Sequence, residues 1–160
     1  MKILYLVIFL ISFSFPQLRI SIDSNGTLDN LDISSGVSIS YDKTLLKQEN
    51  IKMGLGLEHM FARDSENGNI KNLESNLLYI FMRYAYEKKW SSYLKMGFNS
   101  FKGNTGYSGM EGLAWGFGAD YKLNDLWHIE LGYHILSTEE ENYSRIVSSV
   151  ARHFKKKDDE

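Results

Sequence analysis

The sequence has no cysteine and almost no net charge, and each shortage excludes a class of protein. Without cysteine, neither a disulfide framework nor a thiolate metal site can form. The formal net charge of −2 leaves no basic footprint for nucleic acid. Aromatic residues make up 14% of the 160 residues, too many for a disordered chain. We therefore expect one folded domain that does not bind nucleic acid.

Long apolar runs are also scarce, and the first lies at the N-terminus. Met1 and Lys2 give a positive start, residues 3–11 are apolar, and Ser12 and Ser14 supply small residues after them. This order is typical of a secretory signal peptide. The run is shorter than the roughly 20 apolar residues of a membrane-spanning helix. We predict a signal peptide over residues 1–14, with an uncleaved membrane anchor as the alternative.

The clearest strand pattern lies in residues 112–133. Apolar and aromatic side chains alternate there with glycine, charged residues and histidine, on either side of a turn at residues 124–126. The apolar face comprises Leu113, Trp115, Phe117, Ala119, Tyr121, Trp127, Ile129, Leu131 and Tyr133. Because side chains alternate across a strand, this is a hairpin with one apolar and one polar face. Aromatic residues near the strand ends, and glycine among charges, favour lipid outside and a crowded polar interior.

The same alternation recurs along the rest of the chain. It predicts eight strands at residues 17–23, 31–42, 51–62, 73–86, 90–101, 112–122, 127–135 and 143–154. In the fourth strand either face could be buried, and we assign Leu78, Ile80 and Met82 outward, which places Arg83 inside. In the second we assign Leu31 and Ile33 outward.

The connections between these strands alternate in character. Residues 24–27 predict a loop and residues 43–50 a long turn, while residues 87–89 and 124–126 predict short turns. Polar loops are expected after the third, fifth and seventh strands. Short turns at one end and longer loops at the other are typical of bacterial outer-membrane barrels.

The hairpin sequences GLAWGFGADY (residues 112–121) and WHIELGY (residues 127–133) resemble the small bacterial outer-membrane β-barrels of the OmpA/OmpX type. The resemblance implies an all-β fold, an eight-stranded antiparallel up-and-down transmembrane β-barrel over residues 15–154. Residues 155–160 would form a charged C-terminal tail. The resemblance also implies a bacterial outer-membrane location, a monomer, contact with outer-membrane lipid and lipopolysaccharide, and no cofactor.

The family resemblance also assigns a role to the end of the last strand. Members typically end this strand in phenylalanine, which the barrel insertion machinery reads, and Phe154 occupies that place. Arg152 departs from the usual apolar or aromatic residue two positions earlier.

The inward face collects equal numbers of opposite charges. Its predicted members are Arg19, Lys52, Arg83, Lys95, Lys122, Arg145, Asp23, Asp32, Asp42, Glu58, Asp120 and Glu130. Eight of them are our candidates for a lumen charge network: Lys52, Glu58, Arg83, Lys95, Asp120, Lys122, Glu130 and Arg145. An eight-stranded barrel is just wide enough for side chains to fill it, so we expect paired charges to plug the lumen. A lumen that conducts or binds a solute is the alternative.

Two other functions remain open from the sequence. His134, Ser137 and Glu139 suggest a lipid A-modifying hydrolase, although their spacing does not match the His-x-Ser pattern of such barrels. His128, Glu130 and His134 share one strand face, a weak metal pattern. We therefore predict no catalytic, cofactor or metal site. A soluble lipocalin-like barrel with an apolar ligand would invert the faces, exposing Arg83 and Glu130 to water.

Overall fold

The computed structural model describes residues 16–28, 31–68, 70–103, 111–138 and 142–154, and its regular elements are β-strands. They are β1 (Pro16–Leu28), β2 (Leu31–Ile33), β3 (Gly36–Gln48), β4 (Ile51–Arg63), β5 (Leu73–Ala85), β6 (Trp90–Lys102), β7 (Glu111–Lys122), β8 (Trp127–Ser137) and β9 (Asn142–His153). The described residues include no helix long and apolar enough to cross a membrane.

Eight long strands form one closed antiparallel sheet. Each pairs with its neighbour along the chain, and β1 also pairs with β9. The three-residue strand β2 continues the line of β3 beyond a break at Ser34 and Ser35, and it pairs with the far end of β1. Closure leaves no open edge of unpaired backbone groups, which a lipid environment requires. The predicted eight-stranded antiparallel barrel is confirmed.

The outer surface of the barrel carries a continuous apolar band. Trp115, Phe117 and Leu131 are 40%, 50% and 59% exposed. The ambiguous fourth strand has the predicted orientation, with Ile80 outside and Arg83 buried inside. Such a band is abnormal on a soluble monomer. The lipocalin-like interpretation, which needs these apolar side chains inside, is therefore wrong.

The two ends of the barrel differ in their connections. Glu49 and Asn50 join β3 to β4 at one end. At the same end, residues 86–89 join β5 to β6, and residues 123–126 join β7 to β8. The Phe154 N–H donates to the Pro16 carbonyl at 3.0 Å, so both ends of the described chain also lie there. We call this the turn end and the opposite one the loop end.

Two predicted connections are wrong because backbone irregularities hide the alternation. The turn predicted at residues 43–50 comprises only Glu49 and Asn50: β3 runs to Gln48, and a bulge leaves Leu45 and Leu46 both exposed. Residues 24–27 are not a loop: β1 continues to Leu28, with a register shift against β9 between Ser24 and Thr27. One extra residue in a strand exchanges its two faces, so a strict period of two misses such strands.

The outward assignment of Leu31 and Ile33 is also wrong. Ile33 is buried and Leu31 packs against the apolar cluster at the loop end, whereas Asp32, predicted inside, is exposed. The break at Ser34 and Ser35 reverses the phase between β2 and β3.

Several predicted features fall outside the described residues. They are the signal peptide (1–14), residues 104–110 of the polar loop after the fifth predicted strand, residues 139–141 of the polar loop after the seventh, and the charged tail (155–160).

Candidate functional site

The barrel lumen has three levels. At the loop end, apolar side chains fill it: Leu28, Ile33, Met60, Ile70, Leu73, Leu77, Phe101, Ala114, Leu136 and Tyr143. The same cluster extends into the middle through Tyr79 and Phe81, which lie level with Lys95. In the middle lie ion-paired arginines and carboxylates. At the turn end the lumen opens into two cavities lined by polar and basic residues.

The first group of ion pairs is centred on Glu130. Arg19 Nε lies 2.7 Å from Glu130 Oε2, and Arg83 Nη2 lies 2.6 Å from Glu130 Oε1. Arg19 also contacts Asp42 at 2.6 Å, and Arg83 lies 3.5 Å from Asp120. All five side chains are buried. Each arginine therefore reaches two carboxylates across the lumen, which satisfies charges that lipid-enclosed protein could not leave unpaired.

The second group is centred on Arg145. Its guanidinium contacts Asp23 at 2.6 Å and also pairs with Glu58. Arg63 adds a second contact to Asp23 at 2.8 Å, and Lys95 lies 3.9 Å from Glu58. The ammonium of Lys95 also lies over the ring of Tyr79, 4.8 Å from its centroid. Charge pairing and aromatic contacts together enclose the cations in the middle of the barrel.

Glycines make room for these large groups. A Cβ placed on Gly56 would overlap the Tyr79 ring, and one on Gly132 would overlap the Tyr93 hydroxyl. A Cβ on Gly36 would lie 2.7 Å from the Arg63 guanidinium carbon. Small residues thus face large ones on adjacent or next-but-one strands, as a narrow barrel interior needs.

Six of the eight candidate network residues lie together in the buried groups: Glu58, Arg83, Lys95, Asp120, Glu130 and Arg145. The other two, Lys52 and Lys122, lie at the turn-end opening, where Lys122 pairs with Asp125 of the adjacent turn at 2.6 Å. Sequence reasoning missed Arg63, which it placed in a loop. The bulge between Met60 and Arg63 turns that side chain inward, and nothing in the alternation signals it.

The histidines do not form a nucleophile and base with a serine among the described residues. His128 Nδ1 lies 2.9 Å from Asp120 Oδ1, and Ser91 Oγ donates to the same oxygen at 2.9 Å. Asp120 therefore separates serine from histidine, whereas a catalytic triad needs histidine between them. His134 Nε2 lies 3.3 Å from the Tyr93 hydroxyl. In the described part of the chain, no three His, Asp or Glu side chains are grouped as metal ligands would be.

Comparison with known proteins identifies a matching family and several solved structures with a similar fold. The sequence model of the outer membrane protein beta-barrel domain matches residues 11–154. The fold is similar to Ail, the attachment invasion locus protein of Yersinia pestis, at TM-score 0.61 and 12% identity, covering 88% of this chain and 99% of Ail. A second Ail structure holds the heparin analogue sucrose octasulfate.

Two further outer-membrane proteins share the fold. Neisserial surface protein A is similar at TM-score 0.59 and 12% identity, covering 88% of this chain and 97% of its own. OprG from Pseudomonas aeruginosa is similar at TM-score 0.52 and 11% identity, covering 89% and 97%. No curated protein matches the sequence.

Proposed function

This chain belongs to the outer-membrane β-barrel family, and on that basis we propose a closed, non-conducting barrel with a structural or surface-interaction role in the bacterial outer membrane. The observation that carries the proposal is the double obstruction of the lumen. The ion-pair groups occupy its middle, and the apolar cluster fills the loop end above them. An eight-stranded barrel leaves little space for water beside such side chains.

The loop end offers a surface for interaction. Its described acidic side chains outnumber its exposed lysines: Asp32, Asp64, Glu66, Glu74 and Glu111 against Lys71 and Lys102. This charge disfavours a sulfated saccharide such as the one held by Ail. It suits divalent cations that bridge to phosphate groups of lipopolysaccharide, our proposed partner beside outer-membrane lipid.

We also propose an insertion signal at the end of the last strand, a monomeric state and a non-enzymatic role. Phe154 is half exposed, and its N–H makes the bond to Pro16 beside the strand seam, a position suited to a signal for the insertion machinery. Contact with lipid accounts for the exposed apolar band without a second subunit, so we propose a monomer. The separated serine and histidine groups of the described residues support a non-enzymatic role.

Planar-bilayer recording tests the closed lumen. Purified wild-type protein should give no reproducible conductance steps under conditions in which a wide porin, inserted as the positive control, conducts. Stable open channels from the wild-type protein would overturn the proposal of a plugged lumen and revive the transport alternative.

Thermal unfolding with lipopolysaccharide tests the surface role. Magnesium and lipopolysaccharide together should raise the unfolding temperature, and a chelator should remove the effect. Glu66→Gln with Glu111→Gln should weaken the stabilisation, whereas Lys102→Gln, an exposed change on the same end, should not. Equal stabilisation of all variants would contradict a cation-bridged contact at the loop end.

A further inference from the structure

The turn-end opening contains a row of like charges in direct register. Lys47 of β3 lies opposite Lys52 of β4, and Lys52 lies opposite Arg83 of β5. Residues directly opposite on adjacent strands point to the same face, here the lumen. Arg83 is paired with Glu130 and Asp120, but Lys47 and Lys52 repel one another, which lowers stability unless an anion lies between them.

Two cavities of about 160 Å³ and 280 Å³ adjoin this row. Lys52, Lys122 and His128 line both of them, so these three side chains lie where the cavities meet. The Nε2 atom of His153, which lines the larger cavity, is buried and has no hydrogen-bond partner. The opening therefore combines space, positive charge and an unsatisfied polar atom.

The carboxylates around the opening do not neutralise it. Its lining holds six cationic side chains (Lys47, Lys52, Arg83, Lys88, Lys89 and Lys122) and four carboxylates (Glu49, Glu87, Asp120 and Asp125). Arg83 is paired with Asp120 and with the buried Glu130, Asp120 is also engaged by His128 and Ser91, and Asp125 is paired with Lys122. Lys47, Lys52, Lys88 and Lys89 then remain against Glu49 and Glu87. Within the described part of the chain, Lys52 forms no ion pair, and the charges that act on it are three cations, Arg83, Lys47 and Lys122, and one carboxylate, Asp120.

We propose that the turn-end opening binds a compact phosphate-bearing anion, with Lys52 as the central ligand and Lys47 and Lys122 beside it. Ammonium groups recognise phosphate oxygens through charge-assisted hydrogen bonds, and their flexible stems adapt to anions of different shape. Short turns face the periplasm in outer-membrane barrels, so the ligand comes from that side. It is either a free phosphorylated solute or the headgroup of an inner-leaflet phospholipid.

Titration of the full-length protein with inorganic pyrophosphate tests the site. Calorimetry in a zwitterionic detergent at low salt should show saturable binding to the wild type. Lys52→Gln should weaken the binding at least about tenfold, because it removes the central charge. Lys102→Gln, the same change at an exposed loop-end lysine, should bind as tightly as the wild type.

Thermal unfolding separates binding from misfolding and from simple screening. Without ligand, Lys52→Gln should unfold at the wild-type temperature or above it, because the repulsive row is shortened. Pyrophosphate should raise the wild-type unfolding temperature more than sodium chloride at equal ionic strength. No saturable binding by the wild type, equal binding by Lys52→Gln, or an equal effect of the two salts would overturn the proposal.

Nanodiscs distinguish the two sources of phosphate. If a lipid headgroup occupies the site, discs of phosphatidylglycerol should abolish the pyrophosphate binding that is measured in phosphatidylcholine discs. If a free solute occupies it, binding should remain saturable and sensitive to Lys52→Gln in both lipids. Absence of Lys52-dependent binding in phosphatidylcholine discs would again overturn the site.

Discussion

The loop end and the middle of this barrel have opposite arrangements of polar and apolar side chains. In the middle, charges such as Glu130 lie inside and apolar residues such as Leu131 lie outside. At the loop end, Leu73 and Phe101 are buried inside, while the neighbouring Glu74 and Lys102 form an ion pair on the outer surface. The difference indicates two solvents: lipid around the middle and water around the loop end.

Backbone irregularities produce part of the difference in which side chains point into the lumen at the two levels. A bulge between Met60 and Arg63, the break at Ser34 and Ser35, and the shift between Ser24 and Thr27 lie on adjacent strands near the loop end. Each changes which residues point inward, since one residue of slippage exchanges the faces of a strand. In β5 the alternation of inward and outward side chains is unbroken. Only the type of inward residue changes along this strand, from Arg83 near the turn end to Leu73 at the loop end.

The largest effect is expected from unpairing the buried charges. Glu130→Leu should destabilise the barrel by about 3–5 kcal/mol, because Arg19 and Arg83 lose the carboxylate they share. Urea unfolding in lipid vesicles measures the change. The control is Glu74→Leu, which removes a carboxylate from the outer surface of the loop end. Equal losses for the two variants would contradict a special role of the lumen network.

A lysine on the outer surface distinguishes the two solvents. Leu131→Lys should cost about 2–4 kcal/mol, the range for a basic residue on the lipid face near the bilayer centre. Glu111→Lys, also on an exposed strand position but at the loop end, should change the free energy of unfolding by about 0.5 kcal/mol or less. Similar costs at both positions in vesicle-based unfolding would remove the distinction.

A cavity in the loop-end cluster should have a somewhat smaller effect. Leu73 is fully buried, so Leu73→Ala should cost at least about 2 kcal/mol in the same unfolding assay. Leu123→Ala, at an exposed turn position, should cost much less. A negligible loss at Leu73 would indicate that the apolar cluster does not contribute to folding.

The smallest effect is expected at the exposed ion pair of the loop end. Lys102 lies 3.8 Å from Glu74, with its own side chain 75% exposed. Lys102→Gln should change stability by about 0.5 kcal/mol or less, and added salt should remove the difference. A loss comparable with that of Glu130→Leu would show that water does not reach this surface.

Much of the fold could be predicted from the sequence because lipid-facing strands keep a strict period of two. The faces of Trp115 and Leu131 follow from that period, whereas Arg83, on a strand with apolar residues on both faces, is assigned inward because of its charge. Ile33 and Arg63 could not be assigned, because their orientation depends on a break and a bulge that local sequence does not specify. Most of the pairing within the network also could not be predicted, since pairs such as Arg83 with Glu130 join strands that only barrel closure brings together.

The absence of cysteine allows a direct test of the two solvents. Single variants Leu131→Cys and Glu111→Cys can each carry a nitroxide spin label in lipid vesicles, where collisions with oxygen report lipid and collisions with a nickel chelate report water. We predict that oxygen dominates at position 131 and the nickel chelate at position 111. Equal access of the nickel chelate to both positions would contradict the account that the middle lies in lipid and the loop end in water.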